Sequence, residues 1–423
     1  MAHLGLLCPA AASHLMVMGG LGHELQRRGH RVTLVGIPDA APAAAAAGLG
    51  FAPIASEECP PGTAQAALEH IGSLSGLAAF RATFAQLQRS TALLLRDGPE
   101  LLRGLGVDGL VVDQTIFAGP TLAEQLGLPF VSVCSALPLN ADPAVPPFQF
   151  GWGPSPSRWA RLRNRLAQRL TARLLAPIQA EIAAHRAAAG LPPLLRGADP
   201  HSRLAQICQL PPELDFPRRS PPACLHYTGP LTVPAIRPEV PFPWERLTGQ
   251  PLFYASLGTI QSRQFDRFVT LAEACRDLDA QLVISLGGGC APEDLPPLPG
   301  SPLVVGRAPQ LALLERATLT ISPGGLNTVL ESLAAGVPLV AIPIANDQPG
   351  VAARLAWSGA GAVVPLRQLT APRLRAAIEG VLADPEVRVQ ARRLQAAIQR
   401  CGGVVRAADL IERALASGRP VLG

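Results

Sequence analysis

The sequence is poor in aromatic residues and in charge: aromatics make up 4% and charged residues 16% of its 423 positions. No basic run interleaved with aromatics occurs, so no nucleic-acid partner is expected. The eight cysteines form no CxxC pair, and no histidine stands beside them at ligand spacing. A zinc site or a redox dithiol is therefore not expected. Most of them lie in apolar surroundings, as buried free thiols do in a reducing, cytoplasmic setting. The N-terminus lacks the basic stretch of a secretory signal. The longest apolar runs, 40–55 and 333–345, are broken by Ala, Gly and Pro and fall short of a membrane span. There is no carboxylate cluster of the DxD kind in a loop after a strand, and no P-loop. The Gly287-Gly288-Gly289 loop lacks GxGxxG spacing, runs into Pro292 and opens no helix at once. It is a poor dinucleotide fingerprint, which argues against a dehydrogenase.

What is present is apolar bulk. Hydrophobic residues make up 48% of the chain, enough for two domains of about 200 residues each. The 40 glycines and 44 prolines punctuate apolar runs instead of forming a low-complexity block, so disorder is not expected. The net charge of +5, with a pI near 9.0, suits an anionic ligand or an anionic membrane surface.

Strand and helix signals alternate. Leu4–Cys8 reads as a strand, the stretch to Arg28 as a helix, and Arg31–Gly36 as a second strand. This is the βαβ pattern of a parallel sheet. Val107–Val112 and Phe130–Cys134 are further strands around a helix at 117–126. Ten prolines between Pro211 and Pro243 exclude a long helix or a central strand there. Beyond them the pattern restarts: strands at Leu252–Ser256, Gln281–Leu286, Leu303–Val305, Leu319–Ser322 and Pro338–Ile342 alternate with helices at 264–277, 310–316 and 327–335. Two such halves enclose a cleft, and parallel sheets bind ligands at the C-terminal ends of their strands.

The most informative stretch is Ser322-Pro323-Gly324-Gly325-Leu326-Asn327-Thr328-Val329-Leu330-Glu331. A strand ends, Gly324 and Gly325 let the backbone approach a ligand, and a helix starts near Asn327 with free N–H groups suited to phosphate. Glu331 lies one turn on and can accept from sugar hydroxyls. Taken alone, this also reads as a plain glycine turn with Asn327 as a helix cap. At the other end of the chain His14 follows the first strand. A histidine of near-neutral pKa suits general-base work. Asp113, at the end of the 107–112 strand, is positioned to orient it. His3, His23, His30, His201 and His226 have no such setting and read as structural or surface residues.

Taken together, these segments resemble the nucleotide-sugar glycosyltransferases of family GT1, and the wording of 282–288 and 346–354 resembles their carotenoid-modifying branch. The resemblance spans nearly the whole chain and is strongest over 251–366. It implies an α/β fold of the GT-B type, with two Rossmann-like domains facing a cleft. The expected division is an acceptor-binding domain at 1–215, a linker at 216–250, a nucleotide-sugar-binding domain at 251–405 and a C-terminal helix at 406–423 packing back on the first domain. Ser256 and Thr259, in Tyr254-Ala255-Ser256-Leu257-Gly258-Thr259, would sit in a first phosphate loop. Arg307, Ala308 and Gln310 would flank the uracil and nucleoside. Asn327, Thr328 and Glu331 would meet phosphate and ribose, and Asp347 and Gln348 the sugar hydroxyls. His14 would be the catalytic base and Asp113 its partner. No metal or cofactor is implied, the UDP-sugar being a co-substrate. The implied reaction is inverting hexosyl transfer, glucose being the expected sugar, to a hydroxyl of a lipophilic acceptor such as a carotenoid.

One position departs from the pattern: Pro323 stands where the family carries a histidine that donates to the diphosphate. A lost hydrogen bond to a charged oxygen costs on the order of 1.5–3 kcal/mol. A binding protein with weakened or lost transfer is therefore a second expectation. An epimerase or hydrolase would require further cleft carboxylates. Finally, residues 158–175 carry Arg158, Arg161, Arg165, Arg169 and Arg173 on one helical stripe, with Trp159, Leu162, Leu166, Leu170 and Leu174 on the next. Either the leucines face the core, or the helix lies on an anionic membrane surface as a peripheral contact.

Overall fold

The computed structural model describes residues 1–74, 76–194, 200–258 and 265–423. The first sheet is built from β1 (His3–Leu7), β2 (Arg31–Gly36), β3 (Gly50–Pro53), β4 (Gly109–Asp113), β5 (Phe130–Cys134), β6 (Gln206–Cys208) and β7 (Leu225–Tyr227). All pairings are parallel, in the order β3-β2-β1-β4-β5-β6-β7. The helices of this half are α1 (Ala12–Arg27), α2 (Ala41–Ala46), α3 (Thr63–Ser73), α4 (Gly76–Leu105), α5 (Gly119–Leu126), α6 (Arg158–Leu174) and α7 (Ala176–Ala188). The second sheet contains β8 (Leu252–Ser256), β9 (Gln281–Ser285), β10 (Leu303–Val305), β11 (Ala317–Ser322), β12 (Leu339–Ala341) and β13 (Gly361–Val363), in the order β10-β9-β8-β11-β12-β13. Its helices are α8 (Phe265–Cys275), α9 (Gln310–Leu314), α10 (Leu326–Ala334), α11 (Gln348–Ser358), α12 (Ala371–Ala383), α13 (Pro385–Cys401) and α14 (Gly403–Ser417).

Both sheets are doubly wound because their strands are apolar on both faces. β1, β4 and most of β2 are fully buried. Such strands need helices on each side, which only parallel βαβ crossovers supply. The strand order reverses between β1 and β4 in one sheet and between β8 and β11 in the other. A crevice opens at each reversal, and ligands bind there.

Three features correct the sequence reading or decide between its alternatives. The segment 216–250 is not linker throughout, since Leu225–Tyr227 pairs with β6 as the last strand of the first sheet. An edge strand tolerates nearby prolines because one side of its backbone needs no partner, and Pro222 and Pro230 bracket this one. Second, the leucines of α6 do not face the core. Its buried side consists of Ala160, Asn164 and Ala167, small enough to let the helix lie close to the 142–145 loop. Third, the cap of α10 is Gly325 and not Asn327.

α14 packs on the first half: Ala407, Ala408, Leu410, Ile411 and Ala414 join the core of β1, β2 and α1. The two halves also share an apolar core. Cys134, Leu137, Cys208, Leu210 and Leu214 from the first half pack with Leu326, Val329, Leu330, Val351 and Leu355 from the second. Seven of the eight cysteines are buried, Cys290 being half-buried, and none forms a disulfide among the described residues. No helix among the described residues is long and apolar enough to cross a membrane.

Candidate active site

His14 and Asp113 meet at the first crevice. β1 ends at Leu7, and a short loop leads into α1, placing His14 in its first turn. Asp113 is the last residue of the adjacent β4. Nδ1 of His14 lies 2.8 Å from Oδ2 of Asp113. The other carboxylate oxygen accepts from the Thr115 backbone N–H at 2.9 Å and the Thr115 hydroxyl at 2.6 Å. Asp113 is wholly buried, whereas His14 keeps 17% of its side chain exposed. Burial alone would raise the Asp113 pKa, but the His14 ring and the Thr115 hydroxyl hold it below the usual carboxylate value. Burial pulls His14 the other way, toward neutrality. The charge and hydrogen bond of Asp113, with Asp347 as a further negative charge, leave its pKa raised. The ring is thus fixed through Nδ1, and Nε2 has no hydrogen-bond partner among the described residues.

The donor side is built at the second crevice. β11 ends at Ser322, whose hydroxyl accepts from the Gly324 N–H at 3.2 Å. Gly324 has φ +80°, a conformation that favours glycine. A Cβ at Gly325, the N-cap of α10, would meet nothing within 4 Å, so space is open beside the start of that helix. No side chain caps that end, and its first-turn N–H groups are available to an anion. Pro323 is buried in this turn. Across the crevice, Ser256 Oγ accepts from Gly258 N at 3.3 Å. Thr259 lies outside the described residues.

Glu331 and Gln310 come together. Gln310 Nε2 donates to Glu331 at 2.7 Å, and the Tyr254 hydroxyl donates to Gln310 Oε1 at 3.0 Å. Ala308 packs half-buried beside them. Arg307 is exposed and lies over the Gly288 backbone, where a Cβ would come within 2.4 Å of its Nε. Thr328 is half-buried in the first turn of α10. Asn327 points elsewhere: its Nδ2 donates to the Ser13 carbonyl at 3.0 Å, and its Oδ1 accepts from Gln209 at 3.1 Å.

Asp347 precedes α11, and burial raises its pKa against the opposing influence of His14. The two residues therefore sense each other across the cleft. Asn346 before it adopts φ +56°. Gln348 Oε1 accepts from the backbone N–H groups of Ile344 and Ala345 at 2.8 and 2.9 Å. Its side chain thus fixes the loop that carries Asp347, and its amide nitrogen is the end left for a ligand.

Sequence reasoning missed two groups. Arg237, from the interdomain segment, pairs with Glu331, which also accepts from Thr232. A lone arginine among prolines gave no signal of this. Asp215 and Arg354 form a buried ion pair between the halves at 2.8 Å. Arg218 and Tyr227 also bond Asp215, each at 2.8 Å, and the Arg354 guanidinium lies 4.2 Å from the Phe216 ring centroid. Four of the five histidines read as structural or surface residues have the following partners: His3 meets Leu105 O and Thr33 Oγ1, His23 meets Ala47 O, His30 meets Glu412 and His226 meets Val421 O.

Two doubly wound domains, with a His–Asp pair at one reversal point and an anion-ready helix start at the other, define a glycosyltransferase of the GT-B type. Comparison with known proteins agrees. A model of the family described as "UDP-glucoronosyl and UDP-glucosyl transferase" matches residues 232–398. The chain is 35% identical to the zeaxanthin glucosyltransferase of Pantoea ananas, over 100% of this chain and 98% of that one. It is also 35% identical to the zeaxanthin glucosyltransferase of Pseudescherichia vulneris, over 100% of both. Among solved structures, the calicheamicin glycosyltransferase CalG4 superposes with a TM-score of 0.75 at 27% identity, covering 99% of this chain and 100% of that one. The chain belongs to the UDP-glucuronosyl and UDP-glucosyl transferase family and is a nucleotide-sugar-dependent glycosyltransferase.

Proposed function

We propose that the enzyme transfers a hexose, glucose by preference, from a UDP-sugar to a hydroxyl of a lipophilic acceptor of the carotenoid class, with inversion and without a metal. The observation that carries this reading is the His14–Asp113 pair, held at 2.8 Å with Nε2 directed away from it. His14 takes the acceptor proton at Nε2 as the hydroxyl oxygen attacks the anomeric carbon. The new C–O bond forms as the bond to the β-phosphate oxygen breaks, and UDP leaves with the electron pair. Asp113 stays ionised and supports the imidazolium. It is wholly buried behind His14, so it serves as a partner and not as a nucleophile, which favours single displacement with inversion.

The negative charge of the departing diphosphate meets the N–H groups at the start of α10 and the open space at Gly325. Ser256, at the end of β8, borders the same phosphates. Arg307, Ala308 and Gln310 receive the uracil and nucleoside, Glu331 the ribose, and Asp347 with Gln348 the sugar hydroxyls. The two zeaxanthin glucosyltransferases that match over the full length support the acceptor class.

The test is incubation with UDP-glucose and a dihydroxylated carotenoid dispersed in detergent, with and without EDTA. UDP release, a β-configured glucoside and a rate insensitive to EDTA are expected. An α-configured product would overturn inversion, and loss of rate with EDTA would overturn metal independence. Turnover only on water-soluble acceptors would overturn the acceptor class.

A further inference from the structure

α6 turns its apolar stripe outward. Trp159 is 80% exposed, Leu166 54%, Leu170 53% and Leu162 45%. These residues recur at three- and four-residue spacing and so share one face. Beside that face run Arg158, Arg161, Arg165, Arg169 and Arg173, none of which forms an ion pair among the described residues. Arg163 borders the other flank, its guanidinium 4.3 Å from the Trp152 ring centroid. Trp152 in turn stacks on Phe150 at 4.1 Å. The helix holds no acidic residue. Its six arginines exceed the net charge of +5 for the whole chain. The chain has no lysine, so all of its basic side chains are guanidinium groups.

From this arrangement we infer that α6 is a docking helix for a bilayer carrying anionic headgroups. The leucines and Trp159 enter the acyl boundary, and the arginines meet lipid phosphates. A second copy of the chain is the poorer occupant, because a two-fold contact through this face would set one arginine stripe against another. The position suits the reaction. Asn164 and Gln168 bind the carbonyls of Pro143 and Asp142, anchoring α6 to the loop before it. Farther along that loop, Phe148 and Gly151 pack against Gly350 and Pro349, next to Asp347 and Gln348. The helix and the sugar-binding loop are thus the two ends of one packed segment. An acceptor dissolved in the membrane is delivered to the cleft rim.

This inference extends the proposed lipophilic acceptor, but its test needs no turnover. The full chain is floated with vesicles of phosphatidylcholine alone and of phosphatidylcholine with phosphatidylglycerol, and UDP binding is measured in parallel by calorimetry. Flotation only with the anionic vesicles, weakening as salt rises, is expected. The joint substitution Arg165→Gln, Arg169→Gln and Arg173→Gln lowers vesicle partitioning roughly 100-fold, at about fivefold per charge. The set Leu162→Ser, Leu166→Ser and Leu170→Ser abolishes flotation. UDP affinity is unchanged in both. The proposal is overturned if the wild-type chain stays in solution with anionic vesicles, or if the serine set floats like wild type. It is likewise overturned if wild type is a dimer that the serine set dissociates. Failure of wild type to bind UDP would strike the donor reading and leave the vesicle result standing.

Discussion

The Asn327 side chain donates to the Ser13 carbonyl at 3.0 Å, joining the first turn of α10 to the residue just before His14. The contact crosses between the two halves of the molecule. Its other end accepts from Gln209, so one amide ties α10 to two loops of the first sheet. Together with the shared apolar core, it sets the separation between His14 and the start of α10. Small errors in such a separation are costly to a transfer reaction, because the reacting atoms must sit within about 3–3.5 Å of each other.

The His–Asp pair gives the first prediction. His14→Ala lowers kcat by about 10²–10⁴-fold, the usual contribution of a positioned base. UDP affinity stays the same, since no donor contact is lost. Asp113→Asn also lowers kcat by at least about tenfold, because an amide can donate to Nδ1 and so select the wrong tautomer. Steady-state rates and calorimetry with UDP check both. Turnover that survives His14→Ala sinks the base assignment.

The pH profile follows from the same charges. A base acts when neutral, so kcat/KM rises with pH and levels off above the His14 pKa. That pKa is raised above the ordinary 6.5. Asp113→Asn removes the stronger of the two negative charges that raise it, and Asp347→Asn the weaker. The inflection therefore moves to lower pH in both variants, and farther in Asp113→Asn. Residual kcat/KM measured against pH checks the order.

The two sheets, their parallel strands and the His14–Asp113 meeting were legible because each left a local mark: apolar runs bounded by turns, and polar residues at strand ends. The resemblance singled out Gln310 and Glu331 one by one, but their hydrogen bond to each other left no mark in the sequence. β7 was hidden by the surrounding prolines, which argue against central strands but permit an edge. The outward leucines of α6 were undecidable from spacing, since an amphipathic stripe looks the same whether core or membrane receives it. Arg237 and Asp215 were invisible because both lie in the proline-rich stretch, where no strand end or periodic helix marks a side chain for pairing with Glu331 or Arg354.

The adjacent glycines of the donor turn separate backbone need from ligand room. Gly324 has φ +80°, so Gly324→Ala costs about 1 kcal/mol of stability or more. Gly325 has an ordinary φ of −60° and open space beyond it. Gly325→Val should therefore leave the melting temperature unchanged while filling the space beside the start of α10. UDP binding weakens at least about tenfold, the loss of one or two charge-assisted hydrogen bonds. Scanning calorimetry and UDP titration distinguish the two positions.

Asp215 is a stability prediction. Arg354 and Arg218 hold its carboxylate below the usual range against strong desolvation. Asp215→Ala leaves two buried guanidinium groups without their counter-charge. Breaking a buried pair in this way costs about 3–5 kcal/mol, seen as a melting temperature lower by several degrees. Asp215→Asn retains hydrogen bonding and loses less. Because Asp215 and Arg354 join the two halves, the loss also loosens the cleft, and KM for the donor rises together with the fall in stability.

Pro323 yields the sharpest test of the donor site. It is buried in the turn between β11 and α10, where it offers neither a side-chain donor nor an N–H. On the proposed reading, the N–H groups at the start of α10 take over that contact. Pro323→His adds one charge-assisted donor, worth about 1.5–3 kcal/mol. KM for UDP-glucose should then fall, or kcat rise, by roughly 10- to 150-fold in combined kcat/KM. Pro323→Ala removes the ring without adding a donor and separates the two effects. It should leave kcat/KM close to wild type. If the histidine variant gains nothing over the alanine variant, the diphosphate does not lie against this turn. The donor would then have to be bound elsewhere in the cleft.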